Sequence, residues 1–400
     1  MEISSSSDSS ALYTLMVGRV FHIEEITWGG EHFVVRYRGH LTTDSEEAYE
    51  ILHTALHPHG ITPLFRIEEG RQTIVLVRGV HNARPSNPWV NLVLFILTLL
   101  SVLFAGGLYS ATALPQDGAW GHFVFQALGK GVPFAVSLLA ILLAHEFGHY
   151  LAARYHRTQV TLPYFLPFPL SPFGTMGAFI QLKEPPRNKR VLLDIGLAGP
   201  LAGLVVAIPV LFIGLKLSTL DTLPRFVMPG AALSLEGNSL LYLLAKFAVF
   251  GKFLPAPPDY QGLAPALYWL RYFFTGQPLP LGGQDVLLHP VAWAGWAGLL
   301  VTALNLIPAG QLDGGHVLYV LMGRRVRAML PFILTTLVLL GVVWSGWWLW
   351  AFLIFIFGRM HAEPLDQITP LDPRRRALAW FGVLVFVLVF TPVPLVLIGA

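Results

Sequence analysis

The chain has no cysteine among its 400 residues. Disulfides, a thiol nucleophile and thiolate metal ligands are therefore excluded, and any bound ion must be held by His, Asp or Glu. Charge is scarce too: Asp, Glu, Lys and Arg make up 12% of the residues, and the balance is only +3. No basic run is interleaved with aromatics, so a nucleic-acid surface is not expected. What fills the space is apolar, at 54% of residues and a mean hydropathy of +0.60. That composition belongs to an integral membrane protein in a lipid bilayer.

The exceptions to that apolarity carry the chemistry. VPFAVSLLAILLAHEFGHYLAARY, from Val132 to Tyr155, is long enough to cross a bilayer core of roughly 30 Å, yet it contains His145, Glu146 and His149. Charged side chains in hydrocarbon cost about 2.5 to 3.5 kcal/mol each even on lenient scales, so their presence marks a functional site. On a helix, positions four apart share a face. His145 and His149 can thus aim at one ion while Glu146 stands where it can take a proton from an attacking water. A catalytic zinc site has three protein ligands, so one must come from elsewhere.

VAWAGWAGLLVTALNLIPAGQLDGGHVLYVLM, later in the chain, is the second polar interruption. Its helix reaches a comparable depth at Asn305, breaks around Pro308 and Gly310, and presents Asp313, with Gly314 and Gly315 leaving room for close backbone approach. Asp313 is the preferred third ligand and His316 its competitor, better suited to a supporting or substrate-side role. Asn305 is placed to stabilise an oxyanion or to bond the broken backbone near Pro308. Asp194, near one mouth of a third apolar helix, reads first as a solvated helix-end carboxylate.

The flanking organisation follows from pattern. Residues 1–14 are Ser-rich and read as a disordered lead, with neither a signal peptide nor an Arg-rich transit peptide. Residues 15–84 alternate as a soluble ββαββ domain, with Asp44 and Glu47 spaced as a capping box and a turn at Gly70-Arg71. Its histidines, His22, His32, His40, His53, His57 and His59, have no ligand spacing. Residues 85–400 form the membrane domain, with a catalytic core over 132–322 and a Pro/Gly-rich extracytoplasmic insert over 218–290.

Basic residues gather in alternate loops: Arg84; Arg154 and Arg157; Lys183, Arg187, Lys189 and Arg190; Arg324, Arg325 and Arg327; Arg359; Arg374 to Arg376. The positive-inside rule makes those loops and the N-terminal domain cytoplasmic. Crossings are expected at Trp89–Tyr109, Val132–Tyr155, Val191–Leu217, from Val291, and at Ala328–Val343, Trp347–Phe357 and Ala377–Ile398. Between the second and third, Pro163, Pro167, Pro169 and Pro172 forbid a spanning helix. A re-entrant loop followed by a strand, Gly174 to Leu182, is expected there. The fold class is thus an α-helical polytopic membrane protein of about seven transmembrane helices, with a re-entrant loop and strand and a small α+β N-terminal soluble domain.

HEFGH on a membrane helix followed by NLIPAGQLDGG resembles the site-2 protease family (M50) of intramembrane zinc metalloproteases, and GTMGAFIQL and GLAGPLAG are most similar to its EGY-like branch of plastids and bacteria. The resemblance implies zinc on His145, His149 and Asp313, Glu146 as catalytic acid/base, and Asn305 in the active-site surround. It implies cleavage of single-pass transmembrane substrates near the cytoplasmic face, as in regulated intramembrane proteolysis. The absence of an evident transit peptide favours a bacterial cell membrane, and the pattern leaves room for a homo-oligomer. Two rivals fit less well. An ion-coupled transporter would spread its polar groups along a path and often repeat its halves, and a catalytically silent scaffold would usually have lost Glu146 or a ligand.

Overall fold

The computed structural model describes residues 3–29, 32–79, 86–109, 120–228, 233–358 and 363–398. Arg84 and Arg359, used above to orient loops, lie outside the described residues.

The chain opens with a small α/β unit: α1 (Ile3–Gly18), β1 (Phe21–Trp28), β2 (Val35–Leu41), α2 (Ser45–Leu56), β3 (Ile61–Glu68) and β4 (Arg71–Arg78). The strands form one antiparallel sheet in the order β1-β2-β4-β3. Asp44 starts α2 by accepting the Glu46 N–H at 2.9 Å, and the Thr43 hydroxyl donates to Glu47 at 2.7 Å. Ala48, Tyr49, Leu52 and Leu56 then fall on one face and are buried with Val35, Tyr37, Phe65, Ile74 and Leu76 of the sheet. The β3–β4 turn is Glu69-Gly70, both at positive φ (54° and 80°), one residue earlier than expected. The expected disordered lead is also different: Ile3–Gly18 is helical, because Tyr13, Met16 and Val17 pack into the same core and Thr14 bonds the Tyr37 hydroxyl at 3.1 Å.

Among the described residues four helical runs are long and apolar enough to cross a membrane: α3 (Pro88–Leu108), then, beyond the short α4 (Trp120–Lys130), α5 (Val132–Tyr155) and α6 (Lys189–Leu217), and finally Asp313–Val343. Seven expected crossings are therefore not all matched by helices of full length. Between α5 and α6 lie two short strands, β5 (Tyr164–Pro167) and β6 (Thr175–Phe179). After α6 the insert runs through β7 (Thr219–Thr222), β8 (Leu233–Glu236), α7 (Leu240–Phe250), α8 (Pro265–Thr275) and β9 (Gln284–Leu287) to α9 (Pro290–Asn305). The fourth run comprises α10 (Asp313–Met322) and α11 (Val326–Val343), joined by a tight turn. It is followed by α12 (Gly346–Phe357), α13 (Pro373–Val389) and β10 (Leu395–Ile398). The helix expected over Ala377–Ile398 stops at Val389, where Pro392 and Pro394 follow, and β10 pairs antiparallel with β8 of the insert instead.

Helices α5, α6 and α9 pack into the central core. Small residues permit this: a Cβ on Gly148 of α5 would lie 2.4 Å from the Ala198 carbonyl oxygen of α6. The re-entrant segment between α5 and α6 is a hairpin rather than a lone strand. β5 pairs antiparallel with β6, and a further bridge joins Val160 to Leu182, so the strand expected over Gly174–Leu182 is interrupted after Phe179. Non-helical backbone at membrane depth needs partners for its polar groups. Helix α3 supplies them, since Asn91 donates to the carbonyls of Leu162 and Pro163 at 2.9 Å and Ser101 to that of Gly174 at 2.5 Å.

Candidate metal centre

The α5 periodicity places His145 and His149 one turn apart, both buried (3% and 6% exposed), with Glu146 beside them at 3%. The second half of the site depends on the break between α9 and α10. Asn305 ends α9, the chain turns through Pro308 and Gly310, and α10 begins at Asp313. Gly314 and Gly315 let this start press on the turn: a Cβ on either would come within 1.9 Å of the Leu306 carbonyl oxygen or 2.5 Å of that of Gly310.

The result is a triangle of donors. His145 Nε2 and His149 Nε2 are 3.2 Å apart, and Asp313 Oδ2 lies 3.5 Å from the first and 3.4 Å from the second. Tetrahedral zinc with bonds of about 2.0–2.1 Å requires donor–donor edges of about 3.3–3.4 Å. The three measured edges therefore match one face of that tetrahedron. The proton arrangement agrees, because His149 Nδ1 faces the Ile195 carbonyl oxygen at 2.7 Å and must carry the hydrogen there, leaving Nε2 as a lone pair aimed inward. Two imidazole nitrogens and a carboxylate converging at these distances suit a divalent cation. Among the described residues this is the one His/Asp/Glu group with such geometry.

Helix α6 provides the seat. Gly196, Gly199 and Gly203 stand under His316, His149 and His145, where a Cβ would approach the rings or their Cβ atoms to 3.2, 2.0 and 3.3 Å. The sequence marks these glycines only as small residues for helix packing; which partner they admit depends on how the helices cross. Asn305 Nδ2 is 3.2 Å from His145 Nε2, which places it at the rim of the triangle. His316 lines the same cavity, of about 210 Å³, but stands outside the donor triangle. Gln311, not singled out by its sequence context, lines it too, as do Ala178 to Ile180 and Leu182. A larger groove of about 780 Å³ shares Phe179, Ile180, Leu182, Gln311 and His316 with it.

Asp194 is not part of this centre. It accepts a bidentate pair of bonds from Arg375 (2.7–3.1 Å) and one from His156 at 2.9 Å, tying α6 to α13 and to the end of α5. Among the described residues the histidines of the α/β unit form no ligand set: the rings of His22 and His40 lie tilted with centroids 4.8 Å apart, and His40 Nδ1 faces the Glu24 carboxylate at 3.4 Å.

A helical membrane domain in which HExxH meets a distant Asp at one buried point has the build of a membrane-embedded metallopeptidase. The sequence pattern of peptidase family M50 matches residues 133–344, and the chain belongs to that family. It is similar to "Probable zinc metalloprotease EGY1, chloroplastic" of Arabidopsis thaliana, at 29% identity over 80% of this chain and 56% of the relative. The Oryza sativa subsp. japonica protein of the same name is 31% identical over 80% of this chain and 53% of its own. "Probable zinc metalloprotease EGY2, chloroplastic" of Arabidopsis thaliana is 29% identical over 75% and 49%. The chain thus spans about half the length of these curated relatives. No solved structure matches it significantly.

Proposed function

We propose that the chain is an intramembrane zinc metalloprotease that hydrolyses peptide bonds of transmembrane substrate segments, near the membrane face that carries the soluble domain. The observation that carries this reading is the donor triangle with Glu146 buried beside it, in a cavity that is also lined by the end of a β-strand. Zinc, when bound by His145, His149 and Asp313, supplies a Lewis acid and lowers the pKa of water toward about 7. Glu146 accepts the proton of the attacking water and delivers it to the leaving amine. The Asn305 amide, 3.2 Å from His145 Nε2, donates to the oxygen on which charge develops.

A transmembrane helix hides its carbonyls in its own hydrogen bonds, so the substrate must unwind before it can react. The wall from Ala178 to Leu182 gives an unwound segment a backbone edge on which to add as a strand, next to the donors. Single-pass membrane proteins are the substrates this suits, with the bilayer as the medium. A bacterial cell membrane has no support among the relatives named above, which are chloroplastic, and a chloroplast membrane fits better. The test is cleavage of a single-pass model substrate by the purified protein in detergent. Chelation should abolish cleavage and added zinc restore it; cleavage that survives complete removal of metal would overturn the assignment.

A further inference from the structure

The soluble α/β unit is hydrogen-bonded into the membrane domain at the outer end of the larger groove. Asp366, between α12 and α13, makes isolated parallel β-bridges to Phe65 of β3 on one side and to Asn188 on the other. On one side the Phe65 N–H donates to the Leu365 carbonyl at 2.9 Å and the Gln367 N–H to that of Phe65 at 3.0 Å. On the other side the N–H groups of Leu365 and Asp366 donate to the carbonyls of Pro186 and Arg187 at 3.0 and 2.7 Å. Backbone hydrogen bonds therefore link β3 of the soluble unit, through residues 365–367, to the segment that leaves the β5–β6 hairpin.

Side chains lock this junction. Arg66 Nη1 donates to the carbonyls of Phe65, Pro364 and Leu365 at 2.8–3.0 Å. The buried Asp366 carboxylate accepts from Ser45 Oγ at 3.0 Å, from the N–H groups of Ile368 and Thr369, and from the Thr369 hydroxyl. Two ion pairs, Glu46 with Arg190 at 2.7 Å and Glu50 with Arg187, close the outer rim. Two parts of the groove's lining meet this junction: Pro186 closes the run of lining residues that starts at Phe179, and Glu363, which also lines it, directly precedes the Arg66-bound Pro364. A domain carried on a flexible tether would share no backbone hydrogen bonds with the walls of a groove.

We propose that the soluble domain positions the substrate groove, with Arg66 and Asp366 fixing the separation of these two parts of its lining, so that the domain is a working part of substrate binding rather than a separate module. This rests on the protease reading. Its consequence is a division of labour: loosening the junction weakens the hold on the substrate segment while the donors on α5 and α10, which the junction does not touch, keep their metal.

The experiment uses the full-length protein with Arg66→Ala, Arg66→Lys and Ser45→Ala, and measures KM and kcat on the transmembrane substrate, zinc content, and amide exchange over residues 365–367, whose N–H groups donate across the junction. Arg66→Ala is expected to raise KM roughly tenfold with kcat within about twofold and zinc unchanged, with faster exchange at 365–367. Arg66→Lys should recover part of the KM, since it keeps a donor, and Ser45→Ala should raise it by about two- to threefold. If Arg66→Ala fails to fold, Ser45→Ala decides. Unchanged KM in the folded variants, or a fall confined to kcat, overturns the proposal while the protease reading stands. No cleavage by the parent protein would remove both.

Discussion

Gly199→Ala is the substitution whose effect the geometry fixes most closely. A Cβ there would stand 2.0 Å from His149 Nε2, 2.3 Å from Cδ2 and 2.5 Å from Cε1. Ordinary heavy-atom contacts need about 3.5 Å, so the imidazole must retreat by about 1.5 Å. A metal ligand tolerates about 0.2 Å. The ring has no slack for this, since it is held by the Ile195 carbonyl at 2.7 Å on one side and faces the other donors at 3.2 and 3.4 Å. Loss of supporting contacts alone typically costs 10- to 100-fold in metal affinity. Displacing a ligand outright should cost at least about 100-fold, or about 2.7 kcal/mol. Against this, alanine is the better helix former by about 1 kcal/mol, so the fold should persist while the metal is lost. The assay is zinc titration against a competing chelator, with helicity by circular dichroism as a control. Gly203→Ala is the comparison, because its Cβ would meet His145 only at 3.3 Å, and its affinity should stay within about tenfold of the parent. A Gly199→Ala protein that binds zinc as tightly as the parent would refute the seat on α6.

Ile180 lies just beyond β6 in the cavity wall, and Ile180→Pro removes its N–H; cleavage should fall by about tenfold or more with zinc retained, and unchanged cleavage would sink the strand-addition idea. Asn305→Ala should lower kcat by roughly 10²- to 10³-fold with little change in zinc affinity; a parallel loss of zinc would instead make Asn305 a support of the metal. In the insert, burial pushes the Glu236 carboxyl up to about 7, with Lys246 pulling it down and Asp285 pushing it up. An acid whose folded value lies above its ordinary 4.5 binds more protons when folded, so the stability it lends is full below 4.5 and is lost as pH rises through about 7. Proteolytic nicking of residues 233–287 should therefore be slower at acid pH than at pH 8, and Glu236→Gln should flatten the difference; a pH-independent parent would contradict this.

The donors were legible in the sequence because helical periodicity alone aligns His145 with His149, and a polar Asp313 after a Pro-Gly break has little else to do at that depth. The small α/β unit announced itself through alternation and the Asp44 cap. Other parts depend on tertiary facts that no local pattern encodes. The glycines of α6 read as packing residues until the crossing with α5 shows that they seat imidazoles. Strand β5 is masked by Pro167 at its end and Pro163 just before it, and an edge strand tolerates such a proline because it need supply no ladder N–H. Asp194 finds Arg375 far along the chain, and β10 leaves the expected last helix to pair with the insert. The helical lead fails as a sequence reading for the same reason: its serines carry no periodicity, and only Tyr13, Met16 and Val17 commit it to the sheet.

The most direct measurement compares wild type with Glu146→Gln for zinc per chain and for cleavage of the same transmembrane substrate. The substitution removes the proposed proton acceptor and leaves the His145, His149 and Asp313 triangle in place. Zinc near one per chain in both proteins, with cleavage only in the wild type, is the predicted result. Cleavage by Glu146→Gln at the wild-type rate, or zinc in neither protein, would contradict the account.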